Sequence, residues 1–520
     1  MTMTEVVSTA TGTVVPSIGD WLAQCAHRSS TIEVDGVRTT AAALDATAPR
    51  GAAGLRALGL ETGDRVGVVM KASVAALHAW FSIARAGLVE VPLNPDSGPM
   101  LLKHCLEQAA VRAVICDAEY RDMVDEIAGG IATVIVAGVG ASGVDEFDEL
   151  LRAPVVDLPA VDPRSTAVIL YTSGTTGPPK GVLLSHRANV NLARHTVGLM
   201  EYTAEDRLYS VFPLYHSNAR YCSVMAAIEV GADLIMHRRF SAGRFWDICR
   251  EEKITAFNYQ GAMMSILFKQ EPGDGDRDHR VRAAFGAPCP KEIFDAVEAR
   301  YGIELTEIYG STEVSIVCDM PPSRRRIGTA GTESVNYHVA VVDEYDEPVA
   351  PGAIGEIVVR PKKAGFMFDG YDGRPTASVQ AWQNLWFHTG DRGRLDDDGF
   401  LTFVDRVKDT IRRRGENVSS WEIERVVAGE PDVVAVAAYG LPSELSEEEV
   451  AIAVVPTPGT RLEPAALVDR IDPRLTSFAR PRYVRVMDAL PLTHSQRVEK
   501  YRLRAQGVTA DTWDREGASE

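Results

Sequence analysis

The sequence predicts an α/β protein whose N-terminal part is built around parallel strands, followed by a β-rich segment and a small α+β tail. Between residues 40 and 258, short apolar runs alternate with Ala- and Leu-rich segments of helical length. Strands separated by such helices are typical of βαβ units and a largely parallel sheet. The pattern changes after residue 327 and again after residue 405, so we expect more than one folding unit.

Local signals mark the elements of the N-terminal part. Residues 40–58 are rich in Ala and Leu and precede Gly59, and residues 73–86 precede Gly87, as is typical where helices end. The apolar runs that we predict as strands are residues 65–70, 88–93, 110–116, 131–137, 166–170, 207–213, 231–236 and 254–258.

The later part of the chain has a different texture. Short apolar runs at residues 339–343, 355–360 and 399–404 lie between Gly, Pro and Asp turns, which predicts a β-rich subdomain. After Asp405, strand and helix signals alternate again, and this tail of roughly a hundred residues is long enough to fold as a separate domain. We predict a flexible N-terminal tail over residues 1–16, an N-terminal domain over residues 17–407 and a C-terminal domain over residues 408–520.

Composition excludes several classes of function. The formal net charge is −18, with 72 Asp and Glu against 54 Lys and Arg. Nucleic-acid phosphates bind net positive surfaces, so we expect no nucleic-acid partner. No stretch approaches the roughly 20 apolar residues of a membrane helix, and we expect no membrane partner. The 7 cysteines form no C-x-x-C pair, which is typical of reduced core thiols in a cytoplasmic protein.

A loop rich in glycine and hydroxyl groups follows one predicted strand. Residues 171–181 read Tyr-Thr-Ser-Gly-Thr-Thr-Gly-Pro-Pro-Lys-Gly. Gly lets backbone N–H groups approach an anion, hydroxyls add donors, and Lys180 adds positive charge. It is neither a Walker A loop, because Pro179 precedes Lys180, nor a G-x-S-x-G elbow, because Tyr171 takes the first Gly position. A flexible linker has a similar composition but needs no lysine and paired prolines after a buried strand, so we interpret the segment as a polyphosphate loop.

This loop resembles the phosphate loop of the adenylate-forming superfamily, which includes acyl- and aryl-CoA ligases. Two further segments, residues 212–218 and 240–246, look closest to its carnitine/crotonobetaine-CoA ligase-like branch. The resemblance spans roughly residues 20–505 and implies a large N-terminal domain of two α/β sheets plus a β-rich subdomain, followed by a small mobile α+β C-terminal domain. Segments that resemble the other motifs of the family, in its order, are residues 309–313 (Tyr-Gly-Ser-Thr-Glu), 387–391 (Phe-His-Thr-Gly-Asp), 405–409 with 415–417, and 490–500.

The resemblance implies an ATP- and Mg²⁺-dependent ligase acting on a small carboxylic acid. In such enzymes the acid attacks the α-phosphate of ATP, pyrophosphate leaves, and an acyl-adenylate forms. A second nucleophile, often the thiol of coenzyme A, then displaces AMP. This chemistry needs charge neutralisation and in-line positioning rather than a nucleophile from the protein.

The resemblance assigns roles to the nucleotide-binding segments. Thr312 is expected to contact the α-phosphate and Glu313 to hold Mg²⁺, which prefers carboxylate and phosphate oxygens. Tyr309 is expected to stack on adenine, and Gly310 and Ser311 belong to the same binding segment. On its own, the dipeptide Tyr309-Gly310 would be interpreted as a turn at the end of a strand. The residues expected to hold the triphosphate are Thr172, Ser173, Gly174, Thr175, Thr176, Gly177 and Lys180.

Further roles follow for the ribose, the hinge and the acid pocket. Asp391 and Arg406 are expected to hold the ribose hydroxyls, and Lys408 falls at the hinge about which the C-terminal domain turns. For His216, a candidate for the acid pocket, a structural role fits equally well. The basic run at residues 412–414 reads either as a solvated face or as an anion clamp. The pocket candidates are His216, Asn218, Tyr259, Gly261, Gly286 and Ala287.

The C-terminal loop departs from the pattern of the family. Relatives usually carry Gly-Lys where this chain has Gln496 and Arg497, and their lysine stabilises the adenylation transition state. Arg keeps the charge but is a planar fork on a longer stem. Lys500 is three residues further on, and an odd offset in an extended segment points to the opposite face.

Three interpretations of this departure remain open. Arg497 takes over the task of the lysine; or the chemistry is altered, as in ATP-dependent diazotases of secondary-metabolite biosynthesis, which use nitrite and an aromatic amine without coenzyme A; or the protein binds nucleotide without catalysis. The presence of Lys180, Glu313, Asp391 and Arg406 argues against the third interpretation, because a protein that only binds would be free to lose them.

Overall fold

The described residues form two compact units. The computed structural model describes residues 15–97, 99–130, 132–139, 145–172, 179–260, 262–321, 323–406, 411–413, 416–418, 420–443, 448–492 and 498–517. One unit contains the described residues up to Thr172 together with Lys180–His338 and Pro361–Gln380, and the other contains those of Val339–Arg360 and Ala381–Glu520. The predicted limits at residues 16 and 407 stay predictions.

The first unit is an alternation of strands and helices. Its strands are β1 (Thr31–Val34), β2 (Val37–Thr40), β3 (Arg65–Val69), β4 (Val89–Leu93), β5 (Ala113–Asp117), β6 (Thr133–Ala137), β7 (Thr166–Tyr171), β8 (Gly181–Ser185), β9 (Arg207–Ser210), β10 (Asp233–Met236), β11 (Ala256–Gln260), β12 (Ala283–Ala287), β13 (Glu304–Ser311), β14 (Ser315–Asp319) and β15 (Thr332–Glu333). Its helices are α1 (Ile18–Cys25), α2 (Ala41–Ala57), α3 (Val74–Arg85), α4 (Pro99–Gln108), α5 (Arg121–Ala128), α6 (Glu146–Leu150), α7 (His186–Met200), α8 (Ala226–Val230), α9 (Phe245–Glu251), α10 (Ala262–Phe268), α11 (Lys291–Tyr301) and α12 (Pro375–Gln380).

Two sheets organise this unit. In the part that the structure describes, one sheet has the order β6-β5-β3-β4-β7-β8 and the other the order β15-β14-β13-β12-β11-β9-β10-β1-β2. Strands β3 to β7 run parallel and β8 returns antiparallel to β7. In the other sheet β1, β10, β9, β11, β12 and β13 are parallel, whereas β2, β14 and β15 are antiparallel. The predicted pair of α/β sheets is confirmed.

Burial explains why the central strands are mostly apolar. Every residue of β4 is buried, as are four of the five residues of β3 and of β5, because helices cover the faces of a parallel sheet. Leu102 and Leu106 of α4 and Val124 of α5 share one buried cluster with Val114 of β5. The core is therefore formed between the sheet and the helices that connect its strands.

Helix boundaries follow capping signals in the sequence. The Thr40 and Ser73 side chains accept hydrogen bonds from the Ala43 and Ala76 N–H groups, and these caps begin α2 and α3. Gly59 and Gly87 follow the two helices with positive φ angles of 83° and 67°, a backbone conformation that glycine adopts without strain. The two helices predicted at residues 40–58 and 73–86 are thus confirmed to within a residue or two.

From residue 337 onward the chain, apart from α12, forms smaller sheets and short helices. In the described residues these have the orders β16-β17-β19-β18, with β20 on β19; β21-β22; and β23-β24-β25-β26. The strands are β16 (Tyr337–Val342), β17 (Gly355–Pro361), β18 (Trp382–Gln383), β19 (Trp386–Leu395), β20 (Leu401–Arg406), β21 (Ile411–Arg413), β22 (Glu416–Val418), β23 (Val433–Pro442), β24 (Glu448–Pro456), β25 (Tyr483–Val486) and β26 (Thr512–Asp514), and the helices are α13 (Ser420–Ala428), α14 (Pro464–Ile471) and α15 (Lys500–Gln506). The predicted β-rich and α+β parts are confirmed.

The cysteines lie in the core, as predicted. All 7 are buried, and burial raises the pKa of the Cys105, Cys116 and Cys289 thiols to about 12. A thiol that stays protonated at neutral pH is a poor nucleophile. Among the described helices, none is both long and apolar enough to cross a membrane.

A buried ion pair connects the six-stranded sheet to the region of the predicted acid pocket. Arg220 and Glu90 are 1% and 2% exposed, and Arg220 Nη1 lies 3.0 Å from Glu90 Oε1 and 3.0 Å from the Leu214 carbonyl. The guanidinium also lies 3.9 Å from the centroid of the Trp80 ring. The pair therefore fixes the backbone at Leu214, within the segment 212–218.

Replacing Arg220 alone should lower the stability of the protein more than replacing both Arg220 and Glu90. We expect Arg220→Leu to lower stability by about 3–5 kcal/mol, because it leaves the buried Glu90 carboxylate uncompensated. The double variant Arg220→Leu/Glu90→Leu should recover most of that loss. Urea denaturation midpoints measure both effects, and a double variant less stable than Arg220→Leu would contradict this account.

Candidate active site

The base of the phosphate loop is closed by backbone hydrogen bonds. Tyr171 of β7 pairs with Gly181 of β8, and the Thr172 N–H donates to the Lys180 carbonyl over 3.0 Å. The loop thus leaves and re-enters one sheet edge at a fixed point. The predicted phosphate ligands Ser173, Gly174, Thr175, Thr176 and Gly177 lie outside the described residues.

The Glu313 carboxylate is held by two hydroxyl groups. Ser311 Oγ donates to Glu313 Oε2 over 2.8 Å, and Tyr371 Oη donates to Glu313 Oε1 over 3.0 Å. Each oxygen accepts one neutral donor and keeps a lone pair for a further ligand. These two neutral donors therefore fix the orientation of the carboxylate.

The same tyrosine lies under the loop lysine. Lys180 Nζ is 4.5 Å from the centroid of the Tyr371 ring, which is within the range of a cation–π contact. One aromatic side chain thus contacts both predicted charged groups of the phosphate site. Lys180, Ser311 and Glu313 are brought together as the sequence predicts, whereas Tyr371 was not predicted.

Strand pairing puts Tyr371 in this position. The Leu183 N–H donates to the Gly370 carbonyl over 3.0 Å and the Asp369 N–H donates to the Leu183 carbonyl over 2.9 Å. Asp372 is held by an ion pair of 2.6 Å with Arg65 of β3. Residues 369–372 thereby extend the edge of the six-stranded sheet at β8, which begins next to Lys180.

A tight hairpin presents the segment Tyr309–Glu313. A Cβ atom at Gly310 would lie 1.7 Å from the Ser315 carbonyl oxygen, so the close approach of β13 and β14 requires glycine there. The register shifts between Tyr309 and Gly310. Ser311 and Thr312, which follow this irregularity, line a small cleft together with Ser217 and Phe366.

The segment predicted to line the acid pocket reaches that cleft through Ser217. The His216 ring lies 4.8 Å from the Tyr215 ring, centroid to centroid, and the His216 backbone N–H donates to the Pro213 carbonyl over 3.1 Å. Asn218 begins a π-helix, Asn218–Met225, a rare structure that is often found at functional sites.

A polar network fixes the start of this π-helix. Asn258 Nδ2 donates to Asn218 Oδ1 over 2.7 Å and to Ser223 Oγ over 2.8 Å. Asn258 is buried on β11, so it ties the π-helix to the nine-stranded sheet. The Asn218 amide is thus held in one orientation.

The remaining pocket candidates lie on β11 and β12. Tyr259 belongs to a buried apolar cluster that includes Phe257 and Trp246. A Cβ atom at Gly286 would lie 2.0 Å from the Tyr259 carbonyl oxygen, so the two strands require glycine at that point. Ala287 ends β12, and Gly261 lies outside the described residues.

The residues predicted to bind the ribose lie on paired strands of the second unit. Asp391 of β19 pairs in register with Arg406 of β20, and Asp391 is buried. The Asp391 N–H donates to Thr389 Oγ1 over 3.1 Å, and the Gly390 N–H donates to Glu356 Oε1 over 3.0 Å. These bonds fix the backbone of β19 at Asp391. Lys408 lies outside the described residues.

The C-terminal loop has a fixed base. The Glu499 N–H donates to the Pro491 carbonyl over 2.8 Å, and Leu492 and Val498 form an antiparallel bridge. Gln496 and Arg497 lie outside the described residues.

Lys500 is engaged within the second unit. Its Nζ donates to Ser420 Oγ over 2.6 Å and lies 2.8 Å from Glu424 Oε1. Ser420 Oγ also donates to Asp405 Oδ2 over 3.0 Å. Lys500 therefore has structural partners at the start of α13.

The basic run 412–414 requires a correction at its central residue. Arg413 and Glu449 are buried, and Arg413 Nη2 lies 2.6 Å from Glu449 Oε2. Arg413 also donates to the backbone carbonyls of Phe478 and Arg480. The solvated-face interpretation is wrong for Arg413, because its charge holds two segments of the second unit together.

Comparison with known proteins agrees with this geometry. The family model of the AMP-binding enzyme matches residues 20–371, and the model of the AMP-binding enzyme C-terminal domain matches residues 422–497. The chain belongs to the AMP-binding enzyme family.

Individual relatives place this AMP-binding enzyme in the branch that its sequence resembles. The crotonobetaine/carnitine–CoA ligase of Salmonella arizonae is 30% identical over 462 residues, which is 86% of this chain and 89% of that protein. The crystal structure of ATP-bound MatB from Rhodopseudomonas palustris is 28% identical, with a TM-score of 0.85 over 94% of this chain and 98% of that one. The anthranilate CoA ligase AuaEII in complex with anthranoyl-AMP shares the fold, with a TM-score of 0.85 at 20% identity over 98% of this chain and 99% of that one. The protein is an AMP-forming ligase of the carnitine-CoA ligase-like branch.

The Glu313 site of this AMP-binding enzyme suits Mg²⁺. Magnesium is usually bound by one or two carboxylates together with substrate phosphates and water. Among the residues with described positions, no group of three or more His, Cys, Asp and Glu side chains could hold a metal ion. Glu313, with one lone pair left on each oxygen, has the chemistry to be such a carboxylate ligand.

A second buried carboxyl group, not predicted from the sequence, lies two residues before Tyr309. Glu307 on β13 is 4% exposed and accepts a hydrogen bond from the Cys289 N–H. Burial raises its pKa from 4.5 to about 7. Its strand also contains Glu304 and Thr306, so the local sequence carries no signal that distinguishes Glu307.

The raised pKa predicts a pH-dependent stability difference. Below pH 4.5 the carboxyl is protonated whether the chain is folded or not, and its contribution to the free energy of unfolding is fully present. That contribution is lost as the pH rises through about 7, because the carboxyl ionises first in the unfolded chain. Glu307→Gln keeps an acceptor for the Cys289 N–H but cannot ionise. As the pH rises from 4.5 to 7.5, the Tm of this variant should increase relative to that of the unmodified protein, by the equivalent of at most about 3 kcal/mol.

Thermal denaturation over a pH series measures this Tm difference for Glu307→Gln. Glu292→Gln, at an exposed position of α11, is the matched control and should give a profile parallel to that of the unmodified protein. A parallel profile for Glu307→Gln as well would contradict the raised pKa.

Proposed function

We propose that this enzyme uses ATP and Mg²⁺ to activate a small carboxylic acid as an acyl-adenylate and then transfers the acyl group to coenzyme A. The observation that carries the proposal is the Glu313 carboxylate, oriented by the Ser311 and Tyr371 hydroxyls beside Lys180. A fixed anion next to a fixed cation suits a metal–polyphosphate ligand. Transfer to coenzyme A is supported by the names of the relatives, which are CoA ligases.

The proposed reaction has two balanced steps. A carboxylate oxygen of the acid attacks the α-phosphorus of ATP, the bond to the β-phosphate oxygen breaks, and pyrophosphate leaves with the electron pair. The sulfur of coenzyme A, having lost its proton, then attacks the acyl carbon, and AMP leaves with the bonding pair. Neither step needs a nucleophile from the protein, in agreement with the buried cysteines.

Each side chain of the phosphate site has a task in the first step. Lys180 would neutralise phosphate charge, and the Thr312 hydroxyl would donate to the α-phosphate. Glu313 would hold Mg²⁺, and Mg²⁺ supplies charge neutralisation at the phosphate oxygens when bound. Thr172 and the loop residues 173–177 would add donors to the triphosphate. Preorganised charges of this kind lower the barrier because they need no rearrangement during reaction.

The other predicted residues would complete the nucleotide and acid sites. Tyr309, with Gly310, would contact adenine, and Asp391 with Arg406 would hold the ribose hydroxyls. The candidates for the acid site are His216, Asn218, Tyr259, Gly261, Gly286 and Ala287. We further propose that residues 408–520 turn about Lys408 between the two steps, which would bring Arg497 to the α-phosphate for adenylation.

AMP release across a panel of acids tests the proposal. We expect AMP from ATP and Mg²⁺ with at least one small aliphatic or aromatic carboxylate, and a thioester when coenzyme A is added. Glu313→Gln should lower this rate about 10–100-fold, because it weakens the hold on Mg²⁺. Glu292→Gln, which removes an exposed carboxylate of the same unit, is the control and should retain full activity.

The panel includes nitrite with and without aminoaryl acids. AMP that forms with carboxylates but never yields a thioester would refute the transfer to coenzyme A. AMP that forms only with nitrite and an amine would refute the carboxylate substrate. Unchanged turnover in Glu313→Gln would refute the assignment of the metal-binding residue.

Arg497 can be tested separately in each half-reaction. If it stabilises the adenylation transition state, Arg497→Ala should slow adenylate formation about 10²–10³-fold, the cost of losing one such charged donor. Thioester formation from preformed acyl-adenylate should stay within about threefold of the unmodified rate. Arg461→Ala removes an arginine whose side chain is 91% exposed and is the matched control. Equal losses in the two half-reactions would contradict the role.

A further inference from the structure

We propose that Tyr371 is a positioning residue that fixes Lys180 and Glu313, the cationic and anionic groups of the phosphate site, through two different parts of one neutral side chain. Its hydroxyl orients the carboxylate and its ring face holds the ammonium. The proposal rests on the proposed function, because it gives both groups their tasks toward ATP and Mg²⁺. The role goes beyond the motifs that predicted the site, since Tyr371 belongs to none of them.

The two contacts are made at opposite parts of the tyrosine. Its hydroxyl donates to Glu313 Oε1 over 3.0 Å. Lys180 Nζ lies 4.5 Å from the ring centroid, where the negative face of the ring attracts a cation. A neutral aromatic group can therefore restrain both charges without cancelling either of them.

Tyr371 is itself immobilised, which a positioning residue requires. Its N–H donates to Ser378 Oγ over 2.8 Å, and it forms an antiparallel bridge with Val182 of β8. The Phe368 ring packs against its ring with the centroids 5.0 Å apart, and the Phe368 N–H donates to the Glu313 carbonyl over 2.8 Å. Backbone pairing thus fixes both ends of the Tyr371–Glu313 contact.

The hydroxyl stays a donor at physiological pH. Tyr371 is buried, and a tyrosine hydroxyl, with an ordinary pKa of about 10, is protonated at neutral pH. The Ser311 hydroxyl supplies the second donor to Glu313. With one donor on each oxygen, rotation of the carboxylate would break a hydrogen bond, so the remaining lone pairs keep their direction. Groups that orient a metal ligand in this way typically change metal affinity or activity 10–100-fold when removed.

Two substitutions separate the two contacts. Tyr371→Phe removes the hydroxyl and keeps the ring under Lys180, whereas Tyr371→Leu removes both. Tyr301→Phe is the matched control, because it removes one buried hydroxyl that donates to a backbone carbonyl, that of Leu267, over 2.7 Å. Each protein is titrated with ATP, once in EDTA and once over a Mg²⁺ series, without any acid, and ligand binding is followed as the rise in Tm.

The expected pattern differs between the variants. In Tyr371→Phe, ATP binding in EDTA should be unchanged, while the Mg²⁺ concentration that gives half of the additional stabilisation should rise about 10–100-fold. In Tyr371→Leu, ATP binding in EDTA should also weaken, by about threefold, through loss of the cation–π contact. Tyr301→Phe should lower the Tm of the free protein and leave both titrations as they are in the unmodified protein.

Glu313→Gln, measured in parallel, distinguishes the two proposals. If Glu313→Gln raises the Mg²⁺ requirement and Tyr371→Phe does not, the positioning role of Tyr371 is refuted and the proposed metal ligand stands. If Glu313→Gln leaves the Mg²⁺ requirement unchanged, the proposed metal ligand fails, and the positioning role with it. A tighter Mg²⁺ response in Tyr371→Phe would also overturn the proposal, because the hydroxyl would then compete with the metal.

Discussion

The pairing of residues 369–372 with β8 is the contact on which the phosphate site depends. It is made by backbone groups of Asp369, Gly370 and Leu183, so it fixes position independently of side-chain chemistry. A slip by one residue would turn every side chain of the segment to the opposite face and remove Tyr371 from Lys180. The ion pair between Asp372 and Arg65 favours one register, because Asp372 meets its partner in that register.

Buried ion pairs hold segments that are distant in the sequence. The net charge of −18 is a sum over the whole chain and gives no indication of them. The Arg220–Glu90 and Arg413–Glu449 pairs are buried, and in each pair the arginine also donates to a backbone carbonyl. Because an unpaired charge would be costly in the same place, each pair disfavours alternative packings of its segments. The first pair also fixes the backbone at Leu214, close to the predicted acid pocket.

The elements that were predicted correctly carry their signals locally. Residues 40–58 contain a capping Thr, an Ala-rich run and a following Gly, so the helix Ala41–Ala57 can be predicted from its own sequence. The motif residues Lys180, Ser311 and Glu313 were predicted by resemblance, and the structure brings them together around one side chain. Tyr371 and Glu307 carried no comparable signal, because their importance comes from burial and from partners such as Lys180 and Cys289, which are distant in the chain.

The sequence by itself determined the family and the α/β architecture and predicted the phosphate, metal and ribose motifs, because these depend on residue types at short, fixed spacings. Tertiary structure decided which groups support those motifs. It places Tyr371 between Lys180 and Glu313, which belong to motifs more than a hundred residues apart along the chain. It also buries Arg413, for which the sequence alone was compatible with a solvated position. The physical reason is that hydrogen-bond partners and desolvation depend on which distant strands pair, and that pairing is a property of the whole fold.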